Sequence, residues 1–386
     1  MASVALYLSF FNGMLRTFFN IWFARLYPPQ KPPQRDLSGQ TAIVTGANSG
    51  IGLFIALRLA KQGATVCLAC RNQERGDAAV SFIESQLRND AGKPVNSDKT
   101  ATKTGQVFCW KVDMGDMNSV RAFCEKWLAR DSSSSNTIDM LVHNAGIPDI
   151  PTGTRRLNDK GLDTVYATNV LGSFLMTHLL EHSLASNARI VFTSSGGHYA
   201  AHSLLFSARP PQPGSPPPGS AALPRLVHTA KQALGLRQSA VPIYSQTKAH
   251  QVLLAALLQT HFSASSPDSK RTAHAFSPGF TASAIFSKVN MTWRTWLTDP
   301  IYAVLKATEK LVATQTDEGA KTGAWLAAYG GDQSIPGGGY WENMARRFSL
   351  VDFVKGELGD DEFKRRASAV WRVWEQDCGS AWDVRI

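Results

Sequence analysis

The sequence has no disulfide framework, no metal-ligand spacing of histidines and no basic run, and each gap removes a class of protein. Five cysteines in 386 residues are an odd number without regular spacing, unlike a small secreted scaffold stapled by bridges. Cys67 and Cys70 form a C-x-x-C, but they lie within Ala-Thr-Val-Cys-Leu-Ala-Cys, an apolar run that reads as a strand. Residues three apart on a strand point to opposite faces, so they read as core residues in a reducing, cytosol-facing compartment. The nine histidines show no ligand spacing, and no metal is expected. Lys and Arg exceed Asp and Glu to give a net charge of +10, yet they are dispersed. That argues against nucleic acid and leaves a membrane surface or a phosphorylated cofactor as the anionic partner.

What is present is ordinary globular material, with 44% apolar and 18% charged residues, enough for a sizeable core. Residues 4–27 are mostly apolar and aromatic, interrupted by Ser9, Asn12, Arg16 and Asn20 at helical spacing. They lack the basic start and small-x-small site of a cleaved signal, and Arg16 is costly at the centre of a spanning helix. The expectation is an amphipathic helix in the membrane interface, with Trp22 and Tyr27 at headgroup depth. The alternative is a helix packed on the body. The proline-rich stretch after it reads as a stiff spacer, so residues 1–35 are set apart from a domain at 36–386.

From Leu37 short apolar runs alternate with helical periodicity. Strands are expected at 41–45, 65–69, 106–112, 138–142, 189–193 and 272–276, with helices at 51–62, 78–87, 119–129 and 162–180 between them. This rhythm predicts one doubly wound, parallel α/β sheet of Rossmann type. Residues 88–105, 131–137 and the proline-rich 200–242 read as insertions on surface connections.

Thr45-Gly46-Ala47-Asn48-Ser49-Gly50-Ile51-Gly52 falls between the first strand and the first helix. Its glycines suit a tight turn and close approach of backbone to a pyrophosphate at a helix start. The string resembles the T-G-x-x-x-G-I-G cofactor loop of the short-chain dehydrogenase/reductase family, and further motifs follow in order. The resemblance implies that Asp113 holds an adenine ring and that Asn144-Ala145-Gly146 is the family's N-A-G segment, with His143 in place of its first Asn. It also implies that Pro278-Gly279 lies under a nicotinamide, with Ser283 where the family usually has Thr. At the end of the second strand, NAD-specific proteins carry a carboxylate for the ribose. Here Cys70 and Arg71 stand instead, and a guanidinium can clamp a 2′-phosphate. NADP(H) is therefore the expected cofactor.

Tyr244-Ser-Gln-Thr-Lys248 has the family's Y-x-x-x-K spacing, which on a helix puts both side chains on one face. A cation beside the phenol favours its phenolate. Tyr27–Lys31 and Tyr302–Lys306 share the spacing but not the position in the series. The resemblance implies that Ser195, or else Ser194, polarises the substrate oxygen, and that Asn169 kinks its helix and supports a water path to Lys248. The aromatic-rich segment 285–312 would cover a bulky apolar substrate.

The reading is an NADP(H)-dependent oxidoreductase, resembling the retinol-dehydrogenase-like or fungal biosynthetic branch. It would act on a carbonyl or secondary alcohol of a small lipophilic, retinoid-, steroid- or lipid-like substrate. It would sit on a cytosol-facing membrane such as the endoplasmic reticulum, and homo-oligomerisation is left open. A ketoreductase or dehydrogenase of polyketide or terpenoid biosynthesis is the alternative. A non-catalytic dinucleotide-binding protein is the third reading.

Overall fold

The computed structural model describes residues 4–26, 29, 31–91, 105–130, 136–148, 156–211, 241–265, 270–281, 300–329 and 335–382. Six strands match the expected alternation: β1 (Thr41–Thr45), β2 (Thr65–Cys70), β3 (Val107–Lys111), β4 (Ile138–His143), β5 (Leu184–Thr193) and β6 (Thr272–Ser277). A hairpin, β7 (Tyr340–Glu342) and β8 (Ala345–Arg347), was not expected. Its three-residue strands are too short to show a period. The sheet order is β3-β2-β1-β4-β5-β6-β7-β8. All neighbours run parallel except β7 and β8, an antiparallel pair at the edge of the sheet.

Alternate residues of each central strand enter different cores, as a period of two demands. Ile43, Cys67 and Leu141 face one layer, and Val44, Leu68, Cys70 and Val142 face the other. The two cysteines of the C-x-x-C are thus buried on opposite faces and free. On the second face lie α2 (Gly50–Lys61), α3 (Gln73–Ala91) and α8 (Thr316–Tyr329). The helix α2 buries Ile55, Ala56, Leu59 and Ala60 and carries Arg58 and Lys61 in its last turn, where cations suit the helix dipole. Arg58 also donates to Asp317 of α8 at 2.8 Å, tying the two helices together.

The first face carries α4 (Met117–Leu128), a helix α5 running through Thr164–Tyr166, Ala167–Leu171 and Gly172–Leu180, and α6 (Val241–Ser265). It also carries α9 (Leu350–Leu358), which starts on a Ser349–Asp352 capping box, and α10 (Asp360–Cys378). Between β5 and α6 the chain makes a 3₁₀ segment, Gly196–Leu204, and α7 (Pro300–Val312) precedes α8. Of the expected 200–242 insertion, 212–240 lies outside the described residues.

The N-terminal segment forms α1 (Val4–Phe23). It is seated on the body, where Phe10 packs on Phe353 and Tyr199. Ser9, Asn12 and Arg16 of the expected polar stripe do not face the body. They are exposed, and Arg16 Nε donates to Asn12 Oδ1 at 3.1 Å on the surface. Gly13 and Thr17 are the buried positions, because only small residues let the helix backbone approach so closely. Among the described residues no helix is long and apolar enough to cross a membrane. Tyr27, expected at headgroup depth, lies outside the described residues.

Candidate active site

The strand order reverses direction between β1 and β4, and in open α/β sheets ligands bind beyond the carboxyl ends of the strands at such a point. Every described residue expected in the site lies at that end. The loop from β1 into α2 carries Gly46, Asn48, Ser49, Gly50, Ile51 and Gly52. Gly46 and Gly50 have φ of +65° and +61°, a region costly to any residue with a β-carbon. A β-carbon at Gly46 would also lie 2.8 Å from Ala145 Cα, so the loop and the Asn144–Gly146 segment touch backbone to backbone.

Thr45 closes this junction, and its role was not foreseen. Its hydroxyl accepts from the N–H groups of both Asn144 and Ala145 at 3.0 Å. The Asn144 amide donates back to the carbonyls of Thr45 and Gly46. The threonine that opens the glycine string was the available signal. Ser49, the N-cap of α2, makes no side-chain capping bond. The first N–H groups of α2 and the bare glycine backbone therefore fit a pyrophosphate.

Arg71 follows β2 directly; its side chain is exposed and makes no ion pair among the described residues. Asp113 lies after β3, its Oδ1 accepting from Gly115 N–H at 2.9 Å. Pro278 and Gly279 follow β6, and Gly279 turns the chain at φ +73°. Ser283 lies outside the described residues.

The second cluster assembles after β4 and β5. Ser195 follows β5 as the N-cap of the 3₁₀ segment, and its Oγ accepts from Gly197 N–H at 3.2 Å. Its side chain also lies near enough to the Tyr244 hydroxyl to lower that phenol's pKa. Ser194 is engaged elsewhere: it is buried, and its Oγ donates to the Lys248 carbonyl at 2.7 Å. Only Ser195 therefore presents a hydroxyl beside the phenol.

One turn along α6, Lys248 is buried, with its ammonium donating to the Thr193 carbonyl at 2.8 Å and to Gln251 Oε1 at 3.0 Å. The Nζ stands 5.4 Å from the centre of the Tyr244 ring. Burial pushes Lys248 down to about 7. Burial raises Tyr244 to about 12, against the lowering effect of the Ser195 side chain. Gln251 was missed, although its place three residues after Lys248 on one helix face was a signal.

Asn169 sits in the π-helical stretch Ala167–Leu171 of α5, a distortion often found at functional sites. Its amide clamps Ile147, accepting from the N–H at 2.8 Å and donating to the carbonyl at 3.1 Å. It donates as well to Thr247 Oγ1 of α6 at 3.0 Å. A β-carbon on Gly146 would lie 3.3 Å from Asn169 Oδ1 and 3.5 Å from Lys248 Nζ. The asparagine, the lysine and the N-A-G segment thus meet at one point.

The histidines near these motifs are structural. His143 bonds Thr177 Oγ1 at 2.8 Å and stacks on Phe192. His198 bonds the Ser195 carbonyl, and His250 the Leu205 carbonyl. Of the two other tyrosine–lysine pairs, Lys306 is tied to Glu309 at 2.8 Å, and Tyr27 lies outside the described residues.

Residues 40–205 match the model of the short chain dehydrogenase family. The chain is 40% identical over 172 residues to Dehydrogenase/reductase SDR family member 13 of Bos taurus, covering 43% of this chain and 39% of that protein. It is 38% identical over 165 residues to Retinol dehydrogenase 11 of Mus musculus, covering 42% of this chain and 45% of that one. The matched stretch therefore spans less than half of either relative. A crystal structure of an uncharacterized protein from Mycobacterium Paratuberculosis shares the fold, with a TM-score of 0.55 at 24% identity over 92% of this chain and 99% of that one. Over residues 40–205, and in the order of its motifs, the chain is similar to the short-chain dehydrogenase/reductase family.

Proposed function

We propose that the protein is an NADP(H)-dependent oxidoreductase acting on a carbonyl or secondary alcohol of a lipophilic substrate. The observation that carries this is the convergence of Ser195, Tyr244 and Lys248, with the serine side chain beside the phenol. A bound nicotinamide dinucleotide would supply or accept the hydride. Ser195 would hold the substrate oxygen, and Tyr244 would give it a proton in reduction or take one in oxidation. Lys248, cationic, would stabilise the phenolate so formed. Asn169 would hold Ile147 and α6 in register behind them. Retinol dehydrogenases among the relatives support an apolar alcohol or aldehyde as substrate. The test is oxidation of NADPH by the full chain against a panel of apolar aldehydes and ketones; absence of turnover with tight NADPH binding would favour a silent dinucleotide-binding protein.

Arg71 supports the cofactor preference, because its exposed guanidinium follows β2 where a carboxylate would repel a 2′-phosphate. Losing such charge-assisted bonds and adding repulsion in Arg71→Asp should cost NADPH roughly 10–100-fold in kcat/KM. NADH should be little affected. Unchanged preference in steady-state kinetics with both cofactors would remove Arg71 from the argument.

The outer face of α1 supports attachment to a cytosol-facing membrane. Tyr7, Leu8, Phe11, Leu15, Phe18, Phe19 and other large apolar side chains of this helix are exposed. Residues 1–35 carry four basic residues and no acidic one, which suits anionic headgroups. Replacing Phe11, Leu15 and Phe18 together with Ser should lower co-sedimentation with anionic lipid vesicles by about tenfold or more. Equal pelleting of the variant would exclude this face as the contact.

A further inference from the structure

Helix α1 is apolar around most of its circumference, and burial of apolar surface alone would turn its phenylalanines toward the body. At its middle the reverse holds. Gly13 and Thr17 are buried, whereas Phe11, Leu15, Phe18 and Phe19 face outward. The group that holds this orientation is Glu342, the last residue of β7 and only 3% exposed. Thr17 Oγ1 donates to its two oxygens at 2.9 Å each, and Asn20 Nδ2 donates to Oε2 at 3.2 Å. The Tyr340 hydroxyl donates to Oε1 at 2.6 Å. A carboxylate so deeply buried is tolerated only when its oxygens are filled in this way.

Two paths lead from this carboxylate to the active site. Gly196, the residue after Ser195, abuts both partners: a β-carbon there would collide with Thr17 Cγ2 and lie 4.0 Å from Glu342 Oε1. A β-carbon on Gly13 would lie 2.6 Å from the Phe348 carbonyl oxygen and 2.9 Å from the Tyr199 hydroxyl. Tyr199 is followed back along the chain by His198, which bonds the Ser195 carbonyl at 2.8 Å. On the other side, the Tyr340 hydroxyl also reaches Ser277. Ser277 Oγ accepts from Gly279 N–H at 3.2 Å.

We propose that Glu342 is a positioning residue that seats α1 through Thr17 and Asn20, and so sets the Ser195–Gly196 and Pro278–Gly279 segments. The N-terminal helix is then part of the frame of the active site as well as an outer surface. The proposal rests on the oxidoreductase reading above, and its test separates the two.

The full chain is compared with Thr17→Val, which keeps volume and removes the donor, with Thr17→Ser, which restores the donor, and with Glu342→Gln. Amide hydrogen exchange, kcat and NADPH affinity are measured for each. Thr17→Val should raise exchange in 196–204 and lower kcat, each about tenfold, and leave NADPH affinity within about twofold. Thr17→Ser should recover both, and Glu342→Gln, which retains one acceptor oxygen, should fall between and serves if Thr17→Val does not fold. Wild-type exchange in 196–204 overturns the proposal, and so does raised exchange with wild-type kcat. A wild type inert toward every carbonyl overturns the oxidoreductase reading instead, and exchange in 196–204 still decides whether α1 sets that segment.

Discussion

Replacing Tyr244 with Phe should lower kcat for carbonyl reduction by about 10²–10⁴, the usual contribution of a positioned general acid. That range corresponds to roughly 3–5 kcal/mol of transition-state stabilisation. The ring would remain in place over the Lys248 side chain, 5.4 Å from its Nζ, so NADPH affinity should stay close to that of the wild type. Only the hydroxyl beside Ser195 is removed. A further expectation follows from charge. With Tyr244 raised to about 12 by burial, its proton is present across the neutral range. Lys248, lowered to about 7 by burial, loses its cation as pH rises through 7. The reductive rate should therefore fall above pH 7, because the phenolate left after proton donation loses its counter-charge. Stopped-flow single turnovers across pH 6–9 would measure this. Retention of wild-type kcat by Tyr244→Phe would place the proton donor elsewhere.

The second large effect is acid unfolding. Burial lowers His143 and His274 to about 3, and His198 and His250 to about 4. In the unfolded chain all four would titrate near ~6.5. Between that value and their folded values the unfolded state binds more protons, so stability falls as pH falls. It is fully present above pH ~6.5. Each group contributes a slope of roughly 1.4 kcal/mol per pH unit where its two states differ, and four together give about 5.5. A single domain holds ~5–15 kcal/mol of stability, so cooperative unfolding is expected between about pH 6 and pH 4. The cause is visible in the packing. His274 has neither ring nitrogen bonded among the described residues, and His143 is stacked flat on Phe192 inside the sheet. Urea midpoints measured from pH 7.5 to 4.5 should show the steep decline, and His274→Phe should flatten it by about a quarter. A flat profile down to pH 4.5 would contradict the assignment of these rings as buried and neutral.

Much of the site was legible because its signals are local. Glycines before a helix, a tyrosine four residues before a lysine and an arginine after a strand are each read within a few positions. Their shared location follows from the parallel alternation, which brings all strand ends to one side. What stayed illegible depends on partners far away in the chain. The choice between Ser194 and Ser195 turns on the Lys248 carbonyl, 54 positions away, which takes the Ser194 hydroxyl. The seating of α1 stayed illegible for a related reason. Helical periodicity tells which residues share a face, but not which face meets a neighbour.

The amino-acid sequence by itself determined the alternation of strands and helices, the glycine loop and the Tyr244–Lys248 pair, since each depends on spacing over one or two turns. It also determined the lack of a carboxylate beside Arg71. Only the tertiary structure decided which serine faces the tyrosine, how the β7–β8 hairpin closes the sheet, and how α1 is seated. Thr17 meets Glu342 across 325 positions, and no periodicity spans that distance. Close packing and the need to fill a buried carboxylate's oxygens select the contact once the sheet has formed.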